Sequence, residues 1–384
     1  MWRHVASNAL TLLVVFIFVL GGVIAWAKAQ YSAPGPLAEA ICLRVEPGSK
    51  MRQVAGQLSD DGAITSPAIF KIAVEYSGQM QNLKAGSFLL SQGISMEEIT
   101  SIITGSGRST CGSEINFRIG VTRTALVASE LDPATNRYVE RMSFDPLAEE
   151  APEEYSVLRD DSDLRYRITL AEGVTSWQVV EALRAAEFLS GEIAEQPAEG
   201  SLAPDSYEVS AGSDRETLIA QMEEAQAAIL SNAWQNREEG LPLESMEEAL
   251  ILASIVEKET GVAEERPQVA SVFVNRLNQG IRLQTDPTVI YGITRGQGVL
   301  GRGLRQSELR GETPWNTYVI NGLPPTPIAN PGRAAIEATL NPAETDFIFF
   351  VADGTGGHAF AQTLAEHNRN VARWRQIEAE QNEN

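Results

Sequence analysis

Residues 9–27, ALTLLVVFIFVLGGVIAWA, hold no charged side chain. A helix of that length reaches about 28 Å, close to the hydrocarbon thickness of a bilayer. Such a run leaves two readings. One is an uncleaved membrane-spanning helix. The other is a cleaved secretory leader, because AWA and AKA at its end both resemble a small-residue cleavage pattern. The run exceeds the usual apolar core of a leader, which favours the anchor. Arg3 and the amino terminus precede it and Lys28 follows it. That weak positive bias assigns residues 1–8 to the cytoplasm, 9–27 to the span and the body to the far side of the membrane.

The 384 residues are enough for two or three domains with cores of their own. There are 30 basic and 51 acidic side chains, a formal net charge of −21. That balance excludes the basic footprint a nucleic-acid partner needs. Cys42 and Cys111 are the only cysteines. Outside the cytoplasm they are either a disulfide or two inert thiols, and their separation fits no metal site. His358 and His367 are the only histidines beyond the N-terminal tail, and no HExxH, phosphate loop or GxSxG is present. No metal and no cofactor is expected.

The fold class is α+β. YSAPGP (31–36) lies in a linker over 28–40. CLRVEPGSKMRQVAGQL then opens a strand–turn–helix module over 41–106. A similar pattern returns in YRITLAEGVTSWQVVEAL: Val54 and Leu58 lie six and ten residues after Gly48, as Val179 and Leu183 do after Gly173. Two copies of a strand–helix–helix–strand unit follow from that, each closing on a short strand, AGSFLLS (85–91) and PDSYEVS (204–210). Residues 107–164 between them are acidic and proline-containing and read as a flexible insertion. Residues 165–240 hold the second module and a helical connector, and 241–376 the last domain. DFIFFVADG (346–354) is a buried-strand candidate.

ILASIVEKETGV (251–262) carries two glutamates at the end of an apolar run. Ile251, Leu252, Ile255 and Val256 recur at helical steps, Ser245 and Glu248 read as a capping box, and Gly261 as the stop. The spacing predicts a helix over 246–260. Glu259 falls on the apolar stripe, while Glu257 is turned by about 200° from it. A core-facing carboxylate is costly unless paired or protonated, and desolvation raises its pKa. Glu259 is therefore either a prepared general acid or a buried structural partner of Arg276 or Arg282.

After this stretch come ERPQVASVFVNRL, LQTDPTVIYG, NTY (316–318), GLPPTPIANPG and FVADGTGGHAFAQTLAEHN, with LKAGSF and LAPDSY upstream. Together with EKET, in this order, they resemble the endolytic murein transglycosylase (YceG-like) family from about Val45 onward. The resemblance implies a membrane-anchored periplasmic enzyme of the bacterial inner membrane with LysM-like modules. It implies cleavage between N-acetylmuramic acid and N-acetylglucosamine within peptidoglycan glycan strands, leaving 1,6-anhydro ends. It makes Glu259, the second glutamate of EKET, the catalytic acid, and Glu257 structural. A peptidoglycan synthase is a partner by resemblance alone.

Such chemistry suits one carboxyl group. An ordinary glycosidase uses two, whereas here the muramic acid 6-hydroxyl is an internal nucleophile. Gln284, Thr285, Asp286, Asn316, Thr317 and Tyr318 are expected to line a sugar groove, and His358 to contact substrate. Turn caps and loop braces are the structural alternative for these residues. His367, in a predicted helix, reads as structural. Two other functions remain open: a cell-wall-binding scaffold for a synthase complex, and a water-using muramidase with Asp286 as second carboxylate.

Overall fold

The structure is a computed structural model that describes residues 2–105, 109–159 and 164–382. It is a mixed α+β protein. In chain order its elements begin with α1 (Trp2–Ser32), β1 (Ile41–Val45), α2 (Met51–Asp60), α3 (Pro67–Tyr76), β2 (Gly86–Leu90) and α4 (Met96–Thr104). Next come β3 (Ser113–Ile119), β4 (Thr124–Asp132), β5 (Arg137–Phe144), α5 (Glu153–Arg159), β6 (Arg165–Leu170), α6 (Ser176–Ala185) and β7 (Ser206–Val209). The C-terminal half holds α7 (Arg215–Gln235), α8 (Met246–Glu259), a single 3₁₀ turn (Ala263–Glu265), α9 (Arg266–Asn278), α10 (Asp286–Thr294) and α11 (Gln306–Leu309). It closes with α12 (Arg333–Leu340), β8 (Phe349–Ala352), β9 (His358–Ala361) and α13 (Leu364–Asn382). One sheet has the strand order β5-β4-β3-β6-β7.

Two compact units result. The first comprises Met1–Ile115, Ala128–Met142 and Pro152–Arg165. The second comprises Asn116–Val127, Ser143–Ala151 and Tyr166–Asn384.

In the first unit, β1 and β2 pair antiparallel, with Ile41 opposite Leu90 and Val45 opposite Gly86. Helices α2 and α3 lie between them in sequence, as the first module predicts. Their apolar faces bury Leu58, Phe70 and Val74 against Leu43, Phe88 and Leu90 of the strands and Ile99 and Ile103 of α4. Ser66 caps α3, its hydroxyl accepting from Ile69 N, and Pro67 takes the first helical position, where no amide is needed. Cys42 and Cys111 form a disulfide, with Cα atoms 5.7 Å apart.

Helix α1 carries a candidate span from Leu10 to Ser32, whose most apolar 18-residue stretch has a mean hydropathy of 2.7 and is not buried in the protein. This is compatible with a membrane anchor, since outward apolar side chains such as Leu12 and Phe18 would be unfavourable in water. The helix runs on through residues 28–32, where a linker is expected. Tyr31 and Ser32 explain the extension: the Tyr31 hydroxyl donates to Thr100 Oγ1 (2.8 Å), and the Ser32 hydroxyl to Glu97 (2.6 Å).

The expected flexible insertion over 107–164 is replaced by strands β3, β4 and β5 and helix α5; its residues 107–108 and 160–163 lie outside the described residues. Ile115, Phe117 and Ile119 alternate into a core, a period of two that the acidic average conceals. The second repeat also departs from expectation. Strands β6 and β7 pair antiparallel, Tyr166 opposite Val209 and Thr169 opposite Ser206, but α6 is the only helix between them. Gly191, Pro197, Gly200 and Pro204 interrupt the stretch where a second helix would form.

The core of the second unit lies among α7, α8, α9 and α12, around Leu252, Ile255, Val256, Phe273, Ile336 and Leu340. Ala233 of α7 belongs to it, so that helix packs with the body expected to begin at 241. Strands β8 and β9 form a hairpin, Phe349 opposite Ala361. Strand β8 is half-buried rather than buried, and DGTGG is the hairpin turn, with Gly354 and Gly356 at positive φ.

Candidate active site

Helix α8 delivers Glu259 to the mouth of a groove. At the start of the helix, Ser245 Oγ accepts from Glu248 N (3.2 Å). The reciprocal bond of a capping box is shifted by one residue, because the Glu248 carboxylate accepts from Glu244 N (2.7 Å). The helix stops when Thr260 turns extended (φ −141°, ψ 132°). Gly261 is not in the left-handed region, so the stop comes one residue before the expected glycine.

The two glutamates diverge as the helical geometry predicts. Glu257 Oε2 accepts from Gly332 N (3.0 Å), at the N-terminus of α12. It is half-buried, and that burial pushes its carboxyl up, with Glu172 adding to the rise. Lys258 points elsewhere again and donates to Gly173 O (3.2 Å). Glu259 faces a cavity of about 650 Å³. The cavity is lined by Arg276 and Phe273 of α9 and by Gln284, Thr285, Asp286 and Tyr318. The lining is completed by Phe349, Phe350 and Val351 of β8 with Leu364, His367, Asn368 and Val371 of α13.

Glu259 Oε1 accepts a hydrogen bond from the Thr285 hydroxyl. Loss of water around the carboxyl raises its pKa. Thr285 opposes that rise, Asp286 adds to it, and His358 and Arg276 lower it. The net direction is upward, as a proton donor near neutral pH requires. The alternative of a structural ion pair is not found among the described residues. Arg276 donates Nε to Ile348 O (2.7 Å) and Nη1 to Leu283 O (2.5 Å). Arg282 donates to Asn321 Oδ1 (3.2 Å) and Tyr318 O (3.0 Å).

Of the other expected site residues, the groove gathers Gln284, Thr285, Asp286 and Tyr318. Gln284 has φ +49°, an uncommon conformation for a residue with a side chain. The Tyr318 hydroxyl donates to Asp286 Oδ1 (2.7 Å), and burial, followed by that carboxylate, pushes the phenol up. Asn316 and Thr317 are a correction to the expectation, because both are fully buried. Asn316 Nδ2 donates to the carbonyls of Glu308, Leu309 and Gly311, and its Oδ1 accepts from Tyr318 N. It braces a loop. His358 is not on the groove wall; it is tied to Glu265, Nδ1 to Oε2 at 2.7 Å and N to Oε1 at 2.8 Å.

The sequence reasoning missed the α13 wall. His367 stacks on Phe349 (centroids 5.0 Å apart), and the Arg276 guanidinium lies 5.5 Å from the centroid of that ring. Burial lowers the His367 pKa, and Arg276 lowers it further, which favours the neutral ring. A signal was available: Leu364, His367, Asn368 and Val371 fall at i, i+3, i+4 and i+7, one face of a helix.

Fold and site together define an α+β protein in which a carboxyl of raised pKa, Glu259, faces a groove lined in part by aromatic rings. The chain belongs to the YceG-like family, whose profile matches residues 43–141 and 147–373. It is similar to a protein of Bacillus subtilis (strain 168) named endolytic murein transglycosylase, 26% identical over 329 residues, 85% of this chain and 82% of that one. A protein of the same name from Streptococcus pneumoniae is 26% identical over 355 residues, and the chain spans 58% of its length. The crystal structure of a yceG-like protein from Listeria monocytogenes aligns with a TM-score of 0.46 at 25% identity, covering 86% of this chain and 99% of that one.

Proposed function

We propose that this protein is a membrane-anchored lytic transglycosylase that cuts peptidoglycan glycan strands internally, with Glu259 as its acid and base. The observation that carries this is a single carboxyl at the end of α8 whose surroundings favour the protonated form in a ligand-sized groove. The names of the relatives point to the same substrate.

Glu259 gives its proton to the glycosidic oxygen between N-acetylmuramic acid and N-acetylglucosamine, and that C–O bond breaks. As carboxylate it then takes the proton of the muramic acid 6-hydroxyl, whose oxygen bonds to C1. The proton returns to Glu259 and the strand ends in a 1,6-anhydro sugar. The attack is intramolecular and gains from high effective molarity. Gln284, Asp286 and Tyr318 contact the sugars.

Helix α1 anchors the protein in the bacterial inner membrane with its N-terminus inside and the body in the periplasm. The strand–helix–helix–strand module of the first unit acts as a LysM-like binder of glycan, and the second unit, with Glu259, as the catalytic domain. Tethering raises the local concentration of the enzyme at newly made strands, near a peptidoglycan synthase.

Asp286 supports a second reading. It shares the groove with Glu259 and pushes the Glu259 pKa up. A hydrolytic muramidase would use it to direct water. Digestion of purified glycan strands and mass analysis of the new ends decides: anhydro ends support the lytic route, reducing ends the muramidase. Absence of new ends would leave a wall-binding scaffold.

A further inference from the structure

Thr285, Thr288 and Thr317 lie behind Glu259, all buried. Thr285 N donates to Thr317 Oγ1 (3.0 Å), and the Thr317 and Thr288 hydroxyls are 2.8 Å apart. The Thr288 hydroxyl donates to Thr285 O (2.8 Å). Each hydroxyl has one proton to give. The Thr317 hydroxyl also reaches Thr285 O, at 3.5 Å, so either hydroxyl can be the donor in their mutual bond while the other gives its proton to that carbonyl. In either order the contacts close a ring that runs from the Thr285 amide through the Thr317 and Thr288 hydroxyls to the Thr285 carbonyl, the shorter contact to that carbonyl being from Thr288. The ring engages both peptide groups of Thr285 and leaves its own hydroxyl for Glu259 Oε1. Thr317 O also accepts from Gln284 N (3.2 Å), holding the left-handed residue that leads into Thr285.

We propose that Thr317 is a positioning residue for the reaction: through this ring it fixes the Thr285 hydroxyl, which holds the Glu259 carboxyl in the orientation that delivers and recovers the proton. This deepens the transglycosylase reading and rests on it. Thr288 and Thr317 are not among the residues that line the groove. A buried hydroxyl ring with every donor and acceptor matched has one preferred geometry, whereas water at that place would have many. The other groups that act on Glu259 electrostatically are Asp286 of α10, Arg276 of α9 and His358 of β9, and Tyr318 of the connecting loop shares its groove. None of them belongs to the ring.

The test uses the full-length chain in detergent, with purified glycan strands and a melting curve for each variant. Thr317→Val keeps the shape but strips the ring of an acceptor and a donor. It is expected to lower kcat by roughly 10- to 100-fold through misplacement of the proton donor, with KM little changed. The alkaline limb of its pH profile should move upward, because the hydroxyl that favours the Glu259 carboxylate is no longer held in place. Thr317→Ser should restore both. Thr285→Val, which leaves the ring intact and deletes only the bond to Glu259, should move the limb the same way and serves if Thr317→Val does not fold. A folded Thr317→Val with the parental rate and limb overturns the proposal, as does a Thr285→Val limb that stays in place. Glu259→Gln is assayed alongside: its activity would refute the transglycosylase site itself, whereas an inactive Glu259→Gln with an unaltered Thr317→Val refutes only the ring.

Discussion

Glu257 and Gly332 are joined by a hydrogen bond of 3.0 Å from the glycine amide to the carboxylate, so a glutamate two residues from the groove secures the start of α12. A helix N-terminus leaves amides without partners inside the helix, and a carboxylate is their best acceptor. Two glutamates two positions apart in EKET therefore meet unrelated surroundings, one the start of α12 and the other the groove.

Substitution should separate them. Glu259→Gln is expected to lower glycan cleavage by at least ~10²-fold, the scale of a lost general acid, with folding retained. Glu257→Gln keeps an oxygen for Gly332 N and should retain most activity. Glu257→Ala leaves that amide unmet and should cost roughly 1–3 kcal/mol. Cleavage assays and circular dichroism melts on the three proteins check this. Equal loss in both Gln variants would contradict the assignment.

Activity should fall as pH rises through the raised pKa of Glu259, because the first step needs its proton. Stability should follow with the same sign. The folded carboxyl holds its proton above the ordinary value of 4.5, while the unfolded chain releases it there. Between the two values the folded state binds more protons, so stability declines with pH until the folded-state pKa is passed. Glu259→Gln should remove this part of the slope. Asp286→Asn deletes a charge that raises the Glu259 pKa, so any residual activity should show its alkaline limb displaced downward. Rate and melting profiles measured over the same pH series test both signs.

Asn316→Ala should act on stability. Three carbonyls lose their donor, at a cost of roughly 1–3 kcal/mol, and KM should change little in the folded fraction. A large rise in KM with an unchanged melting midpoint would make Asn316 a substrate contact after all.

The Cys42–Cys111 bond closes a loop with a sequence separation of 69. Loop closure of that length stabilises a fold by about 4 kcal/mol, so Cys42→Ala, or a reductant, should destabilise the first unit markedly. Melting with and without reductant reads this directly. An unchanged midpoint would mean that the crosslink contributes nothing.

The legible parts of the fold were those whose signals are local. Helix α8 announced itself by a cap, a period and a break, and the period placed Glu259 on the inner stripe. The first module was legible because its strands and helices alternate within a short stretch. Strands β3–β5 were hidden: β5 is largely exposed and has no core period, and the acidic average masked the alternation of Ile115, Phe117 and Ile119. Asn316 and Thr317 were misjudged for a different reason. An amide or hydroxyl in a loop looks the same whether it meets a sugar or a carbonyl, and the Thr317 partners lie about thirty residues upstream. Only the folded chain brings them together.

The unbroken passage of α1 into the first unit has a mechanical consequence. Tyr31 and Ser32 tie the last turn of the helix to α4, so there is no free joint where a swivel would normally sit. With α1 in a bilayer, the module it carries has its height above the lipid fixed by the helix. Spinning of the helix about its axis would sweep the module around like a key on its shaft. The reach of that module becomes a narrow band parallel to the membrane rather than a hemisphere.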